Sequence, residues 1–333
     1  MERIRLSRPK PGGNYFGSPK DDVLFIPSGS KLLDLDLGGG WARDKIVNIV
    51  GDRSTGKTLL AIEMSANFCR TFPTGQVDYR EAEAAFLPDY AGALGMPLDR
   101  VRFGKRQLET VEDLFEDLTL VVRRPIRGPR LYILDSLDAL SDRAELERAM
   151  DKGSYGSQKA KNMSQLFRRL TRQLVEAKVT LVIISQIRDK IGMSFTPHER
   201  SGGRALDFYA SQIVWLHHRG PVKRTLKGIE RVVGVDIHFK VTKNKVGLPF
   251  REDDFSILFG YGIDDLQSCC HFLKQTKGLS LAGLTQDYKA EIRHAQRNGG
   301  LTKLTRKVQE AVQAKWWEVE KGFLPQRGKY EGN

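Results

Sequence analysis

The chain has 333 residues, 40% of them hydrophobic, enough for one large α/β domain and a smaller companion. Its 54 Lys and Arg against 41 Asp and Glu give a formal net charge of +13 and a pI near 9.6, which favours a polyanionic partner such as nucleic acid. Three cysteines without a C-x-x-C spacing exclude a disulfide framework and a cysteine-based metal site, and no apolar run reaches membrane-spanning length. No signal-peptide pattern is present, so the expectation is a soluble protein of a reducing, cytoplasmic compartment with no membrane partner.

Residues 1–20 are basic and broken by Pro9, Pro11, Pro19 and several glycines, which reads as a flexible arm. Residues 22–30 turn apolar through Val23, Leu24, Phe25 and Ile26, and are expected to add a strand to the main sheet or to a neighbouring subunit. Together these form an N-terminal segment, residues 1–30. Gly38-Gly39-Gly40 marks a turn. Residues 46–50 are a short apolar run suited to a buried strand, and they lead into Gly51-Asp52-Arg53-Ser54-Thr55-Gly56-Lys57-Thr58. This is a phosphate-binding loop, G-x-x-x-x-G-K-T. The glycines let successive N–H groups point at phosphate oxygens, Lys57 reaches the β- and γ-phosphates, and the Thr58 hydroxyl can ligate Mg²⁺. Residues 57–72 then have helical spacing, so strand, loop and helix N-terminus combine into an anion site.

Residues 76–79 form a short strand running into Glu81-Ala82-Glu83, and residues 101–103 another. A helix is predicted over 108–123, with Thr110 and Asp113 as a capping box. Residues 131–136 are a buried strand ending in Asp135. Met163, Leu166, Phe167, Leu170 and Leu174 share one helical face. Residues 180–186 make the next buried strand, ending at Gln186. The polar segments 151–162 and 188–204 lack periodicity and read as loops. Alternation at 213–216, 235–241 and 255–258 predicts antiparallel strands at one edge of the sheet. From about 263 the chain is helical and basic through Trp316-Trp317, which gives a core over 31–262 and a small α-rich C-terminal domain over 263–333.

Strands alternating with helices imply a mostly parallel, twisted, doubly wound sheet, with ligand bound beyond the carboxyl ends of its strands. Thr58, Glu83, Asp135 and Gln186 all lie at such ends. Phosphoryl transfer to water needs a phosphate cradle, a metal and a group that orients water. Lys57 and Thr58 serve the first two, and Asp135 is the second acidic contact to Mg²⁺. Pattern alone leaves Glu83 and Glu81 as competing general bases. Gln186 is placed to sense the γ-phosphate.

The order and wording of these segments resemble the bacterial RecA family of homologous-recombination ATPases. The match runs from about residue 27 to 263. It includes Ala82-Glu83-Ala84-Ala85-Phe86-Leu87-Pro88-Asp89-Tyr90-Ala91, Leu134-Asp135-Ser136, Ser185-Gln186-Ile187-Arg188-Asp189-Lys190-Ile191-Gly192, Ser201-Gly202-Gly203-Arg204 and Lys243-Asn244-Lys245. The resemblance implies a RecA-like P-loop core and a helical filament on single-stranded DNA, with ATP between subunits and a homologous duplex as second partner. It makes Glu83 the catalytic glutamate, sets Tyr90 against the adenine, and sends Lys243 and Lys245 to the γ-phosphate of the neighbouring subunit. It makes 151–162 and 188–204 the two DNA loops. Gly202 and Gly203 would offer backbone N–H groups, Lys161, Ser164, Arg168, Arg188 and Arg204 side chains, and Tyr155, Ile191 and Ser201 complete the contact set.

Four departures from the family pattern stand out. The N-terminal arm has no clear polymerisation helix. Leu87 replaces an acid near the adenine, and Asp207 replaces a lysine near the trans nucleotide. His217, His218 and His238, with Lys240, occupy the region expected to hold the second DNA in place of mostly Arg and Lys, with Arg219, Lys223, Arg224 and Lys227 nearby. The C-terminus is basic, Gln326-Arg327-Gly328-Lys329, rather than acidic. These features fit a divergent member and are compatible with a phage or mobile-element origin. Two other readings stay open: an accessory paralogue that loads or regulates a recombinase, and a hexameric helicase of the same core fold.

Overall fold

The runs at 46–50, 131–134 and 181–184 show no polar alternation because they are buried on both faces of one sheet. The structure is a computed structural model that describes residues 23–125, 127–146, 156–189, 198–200 and 203–325. In chain order, β1 (Phe25–Ile26), α1 (Lys31–Asp36), β2 (Trp41–Ala42), β3 (Ile46–Gly51) and α2 (Lys57–Thr71) come first. They are followed by β4 (Gln76–Glu81), α3 (Pro88–Ala93), β5 (Val101–Phe103), α4 (Val111–Arg123), β6 (Arg130–Asp135) and α5 (Arg143–Leu146). Next are α6 (Gly156–Glu176), β7 (Val179–Asp189), β8 (His198–Arg200) and α7 (Gly203–Tyr209). The chain continues through β9 (Gln212–Leu226), β10 (Ile229–Asn244), β11 (Arg251–Leu258), β12 (Gly262–Ile263), α8 (Asp265–Gln275), α9 (Tyr288–Arg297) and α10 (Leu301–Phe323).

The main sheet has the order β12-β11-β10-β9-β3-β7-β6-β4-β5, with β8 against β7. From β9 to β5 every neighbouring pair is parallel, and from β9 to β12 every pair is antiparallel. The strand period of two divides the core. Val47, Ile49, Leu131, Ile133, Val182 and Ile184 face α2, whereas Ile46, Val50, Tyr132, Leu134, Leu181 and Ile183 face α4, α6 and α7. Each fully buried Leu or Ile contributes about 1.5–3 kcal/mol relative to exposure. The helix predicted from 108 starts at Val111, where the capping box fixes it. Thr110 Oγ1 accepts the Asp113 N–H at 3.0 Å, and Asp113 Oδ2 accepts the Thr110 N–H at 3.1 Å.

Several expectations need correction. Phe25–Ile26 does not join the main sheet; it pairs antiparallel with Trp41–Ala42 of its own chain. The turn that returns it is built on Gly40, where a Cβ would meet the Ile26 carbonyl oxygen at 2.6 Å. The first expected loop is helical from Gly156, because its polar residues support a helix while giving no apolar period. Lys159 secures this first turn by donating to the Leu137 carbonyl at 2.8 Å. The second expected loop is shorter than 188–204. β7 runs on to Asp189, β8 pairs back on it from Ile187↔Arg200 to Asp189↔His198, and α7 begins at Gly203. β9, expected in an antiparallel set, is also the parallel neighbour of β3.

The helices after 263 share one apolar cluster with α1 and β11. Cys269, Cys270, Leu273, Val308, Val312 and Trp316 pack with Leu32, Leu33, Phe255 and Ile257. Polar ties reinforce this contact. Trp316 Nε1 donates to Asp36 Oδ1 at 2.8 Å, Arg251 Nη2 pairs with Glu320 at 2.6 Å, and Asp265 accepts the Lys31 N–H at 2.6 Å. Among the described residues no helix is long and apolar enough to cross a membrane.

Asp36 sits at this junction with its Oδ2 buried and without a hydrogen-bond partner. Burial pushes its pKa up to about 8; the Trp316 bond opposes the rise, Asp253 and Glu320 add to it, and Arg251 opposes it. A carboxyl with a raised folded-state pKa binds more protons when folded. Its contribution is therefore full below the ordinary carboxylate range and is lost as pH rises toward about 8. Asp36→Asn keeps an acceptor for Trp316 and cannot ionise. Thermal melts at about pH 5 and about pH 8 should show a smaller fall in the variant than in the unmodified chain. Identical falls would rule out ionisation of Asp36 as a source of the pH dependence.

Candidate active site

β3 delivers the chain to Gly51, and α2 starts at Lys57, so the loop between them caps a helix N-terminus. Gly51 and Gly56 are required by the packing. A Cβ at Gly51 would meet Thr55 Oγ1 at 2.5 Å and the Leu216 carbonyl oxygen at 3.0 Å. Gly56, with φ +85°, would drive a Cβ into the side chain of Ile257 on β11. The loop curls around one carbonyl: Thr55 Oγ1 donates to the Asp52 oxygen at 2.8 Å and Lys57 Nζ to the same oxygen at 2.6 Å. Asp52, Arg53 and Ser54 form the exposed crest, with Ser54 at φ 57°. The first turn of α2 carries no acidic residue, so the positive end of its dipole is left for an anion.

Lys57 is 8% exposed. Burial lowers its pKa, against the opposing pull of Asp135, Glu83, Asp138 and Asp52. Asp135, the last residue of β6, accepts the Tyr79 hydroxyl at 2.8 Å and is hydrogen-bonded by Thr58. Burial raises its pKa, the Tyr79 and Thr58 bonds oppose this, and the nearby Glu83 and Glu81 carboxylates add to it. A buried carboxylate beside a hydroxyl, with more acids around it, is a donor set that suits a hard divalent cation. No cluster of three or more His, Cys, Asp or Glu that could hold a metal ion by itself occurs among the described residues. A Mg²⁺ at Thr58 and Asp135 would take its remaining ligands from phosphate and water.

The two glutamates behave differently. Glu81 Oε1 accepts the backbone N–H groups of Glu83 at 2.8 Å and Ala85 at 3.0 Å, so it shapes the turn after β4. Glu83 instead projects to the strand ends. Its Oε1 accepts from the Ser136 hydroxyl and from Gln186 Nε2, the latter at 2.9 Å. Gln186 lies within β7, three residues before the strand ends, and its N–H donates to Asp138 Oδ2 at 2.6 Å. Lys57, Thr58, Glu83, Asp135 and Gln186 are thus brought together. Tyr79, Ser136 and Asp138 complete the network and were missed in the sequence. Ser136 and Asp138 directly follow the strand acid, which was an available signal. Tyr79 needs the β4–β6 pairing, which no local pattern reveals.

Other candidates lie elsewhere. Tyr90 is on α3, 40% exposed, near the 68% exposed Leu87. Lys243 and Lys245 are at the far end of the sheet: Lys243 pairs with Ile213, which pairs with Asn48, so both lie toward the start of β3 and away from Gly51. Lys243 Nζ donates to the carbonyls of Asp207 and, at 3.0 Å, Phe208; Lys245 Nζ donates to that of Phe208 at 3.3 Å. They therefore sit on the C-terminal end of α7, where a helix favours cations. Lys161, Ser164 and Arg168 form a stripe along α6 opposite the buried Met163, Phe167 and Leu170. Arg188 lies in β7 and Gly203 and Arg204 in α7, whereas Tyr155, Ile191, Ser201 and Gly202 fall outside the described residues.

The β9–β10 ribbon turns through Lys227 and Gly228, both with positive φ. At its base β11 supplies acids. His238 Nδ1 lies 2.8 Å from Asp254, Arg219 Nε 3.2 Å from the same carboxylate, and Lys240 Nζ 2.7 Å from Glu252. His218 Nε2 lies 3.2 Å from the Arg53 carbonyl of the phosphate loop.

Residues 15–264 match the family model described as the RecA N-terminal domain. Protein RecA of Streptomyces avermitilis is 39% identical over 249 residues, covering 74% of this chain and 63% of that protein. Protein RecA of Methylococcus capsulatus is 39% identical over 244 residues, covering 73% and 67%. Protein RecA of Nocardioides sp. is 40% identical over 243 residues, covering 72% and 66%. The chain spans about 63% of the length of the Streptomyces relatives. With the phosphate loop, the strand-end acids and Gln186 gathered at one edge of the expected sheet, this match over most of its residues means that the chain belongs to the RecA family.

Proposed function

We propose that this chain is a DNA-dependent ATPase that assembles into helical filaments on single-stranded DNA and carries out homologous pairing and strand exchange, with ATP as substrate and Mg²⁺ as its metal. The observation that carries the reading is the 2.9 Å bond from Gln186 Nε2 to Glu83 Oε1. It joins the carboxylate best placed to orient water to the strand that leads into the second DNA segment, so that DNA contact and hydrolysis share one element.

In this reading the Gly51–Thr58 backbone, Lys57 and the α2 N-terminus hold the phosphates. Thr58 and Asp135 would hold Mg²⁺, which would neutralise negative charge on the phosphates. Glu83 orients a water and takes its proton as the water oxygen bonds to the γ-phosphorus and the bond to the β–γ bridging oxygen breaks. Lys243 and Lys245 lie too far along the sheet to serve their own phosphate loop, which supports a role on a neighbouring subunit's nucleotide. Charge from these two lysines then reaches the transition state only in an assembled filament. The α6 stripe of Lys161, Ser164 and Arg168, with Arg188, Arg204 and the backbone at 201–203, binds the DNA backbone, and Tyr155 and Ile191 belong to the same contact set. Such binding is weakly sequence-dependent and salt-sensitive. Tyr90 packs on the adenine.

One observation favours a second reading, the accessory paralogue. Asp254 and Glu252 pair with His238, Arg219 and Lys240, which lowers the positive charge available to a second DNA. ATP hydrolysis measured with and without single-stranded DNA, on samples imaged for filaments, separates the two. The recombinase reading expects stimulated turnover and long filaments. Unstimulated turnover without filaments would favour the accessory protein.

Two variant experiments test the residue roles. Glu83→Gln should bind ATP and DNA while hydrolysis falls by about 10²–10⁴-fold, the range for loss of a general base. Turnover at the unmodified rate would remove Glu83 from the reaction. The double variant Lys243→Ala, Lys245→Ala should lose DNA-stimulated hydrolysis yet bind nucleotide as a single subunit. Mixed with Glu83→Gln, it should regain turnover, since each supplies what the other lacks across an interface. Failure of the mixture to recover any activity would argue against lysines acting in trans.

A further inference from the structure

One carboxylate of the site network stands beside β7, on the side away from β3 and the phosphate loop. Asp138 lies on the single turn Leu137–Ala139 that follows β6. Its Oδ2 accepts the backbone N–H of Gln186 at 2.6 Å. Gln186 is the β7 residue that pairs with Gly51, the first residue of the phosphate loop. The Asp138 charge also acts on the Lys57 ammonium, after those of Asp135 and Glu83. One side chain is therefore bonded to the backbone of β7 and felt at Lys57.

A carboxylate bonded to a backbone N–H forms a charge-assisted hydrogen bond, roughly twice as strong as a neutral one. The backbone it grips here is the root of the side chain that reaches Glu83. Gln186 is thus held at two points, by its N–H on Asp138 and by its Nε2 on Glu83, while Glu83 is held a second time by Ser136. A twist of β7 beyond Ile187 that broke the Asp138 bond would move the Gln186 amide relative to Glu83. The segment just beyond, 190–197, belongs to the second DNA region of the sequence reading.

We propose that Asp138 is a positioning residue for ATP hydrolysis. By fixing the backbone at Gln186, it sets where the Gln186 amide meets Glu83 and so holds Glu83 in the orientation that acts on water. The proposal rests on the ATPase reading given above. Asp138 acts through Gln186 and need not touch nucleotide. Its effect belongs in turnover more than in nucleotide affinity.

Two substitutions separate the hydrogen bond from the charge. Asp138→Asn keeps an oxygen that can accept the Gln186 N–H and loses the negative charge, whereas Asp138→Ala loses both. Steady-state ATP hydrolysis at saturating single-stranded DNA would be measured for the full chain and both variants, together with hydrogen exchange of the peptide spanning Gln186. Asp138→Ala should lower kcat about tenfold or more with KM for ATP changed less than about threefold, and should speed exchange at Gln186. Asp138→Asn should restore kcat to within a few-fold and bring exchange at Gln186 between that of Asp138→Ala and that of the unmodified chain. Unmodified kcat and exchange in Asp138→Ala would overturn the proposal. Equal impairment of both variants would also overturn it, since the charge at Lys57 would then be what matters. Absence of hydrolysis in the unmodified chain would instead overturn the ATPase reading, and the exchange data would still decide whether Asp138 anchors Gln186.

Discussion

A single buried lysine set among carboxylates is the constraint that orders this molecule. Lys57 lies under the phosphate loop with Asp135, Glu83 and Asp138 all acting on it, and Asp135 is buried as well. So much negative charge in a poorly solvated site is costly unless compensated. The protein compensates in part with hydrogen bonds, from Tyr79 and Thr58 to Asp135, from Ser136 and Gln186 to Glu83, and from the Gln186 N–H to Asp138. These donors come from α2, from β4, from the turn after β6 and from β7, where Gln186 supplies two of them. The order β3-β7-β6-β4 is what lets them converge.

The sheet also explains a division of labour. Parallel strands from β9 to β5 put all their carboxyl ends on one side, so that side collects the phosphate loop and the acids. The antiparallel reversal at β10 carries Lys243 and Lys245 to the other side. This topology keeps the phosphate loop and its acids apart from these two cations within one chain, and rests the cations on the carbonyls ending α7. The proposed filament is then an answer to a topological problem. Copies stacked head to tail bring opposite sides of the sheet together, which one chain cannot do for itself.

Much of this was legible in the amino acids. The phosphate loop, the Thr110–Asp113 cap, the buried strands and the inward face of α6 follow from local rules of spacing and capping, and they stand where those rules put them. The candidate site was legible as a set of strand-end residues because parallel sheets place ligands there. What escaped depended on partners distant in the chain. Glu81 and Glu83 are indistinguishable by pattern; they separate only because one carboxylate folds back on its own turn and the other meets Gln186 from 103 residues away. Lys159 and Lys161 begin a helix that carries no apolar period at that end, so the segment read as loop. Phe25–Ile26 looked like a strand for the main sheet because its partner, Trp41–Ala42, is only two residues long and announces nothing.

The packing of α8 and α10 on α1 bears on how the chain is made. Leu32 and Leu33 emerge early in synthesis, yet the cluster that buries them closes only with Val308, Val312 and Trp316, nearly 300 residues later. Loop closure over such a span is slow relative to local structure. While the ribosome is still adding the last helices, α1 and β11 present an uncovered apolar face, and the phosphate loop, which leans on Ile257 of β11 through Gly56, rests on an unfinished support. The support of the phosphate loop in a nascent chain is thus completed from α10 backward, so a ribosome stalled before α10 holds a chain exposed to association with others of its kind.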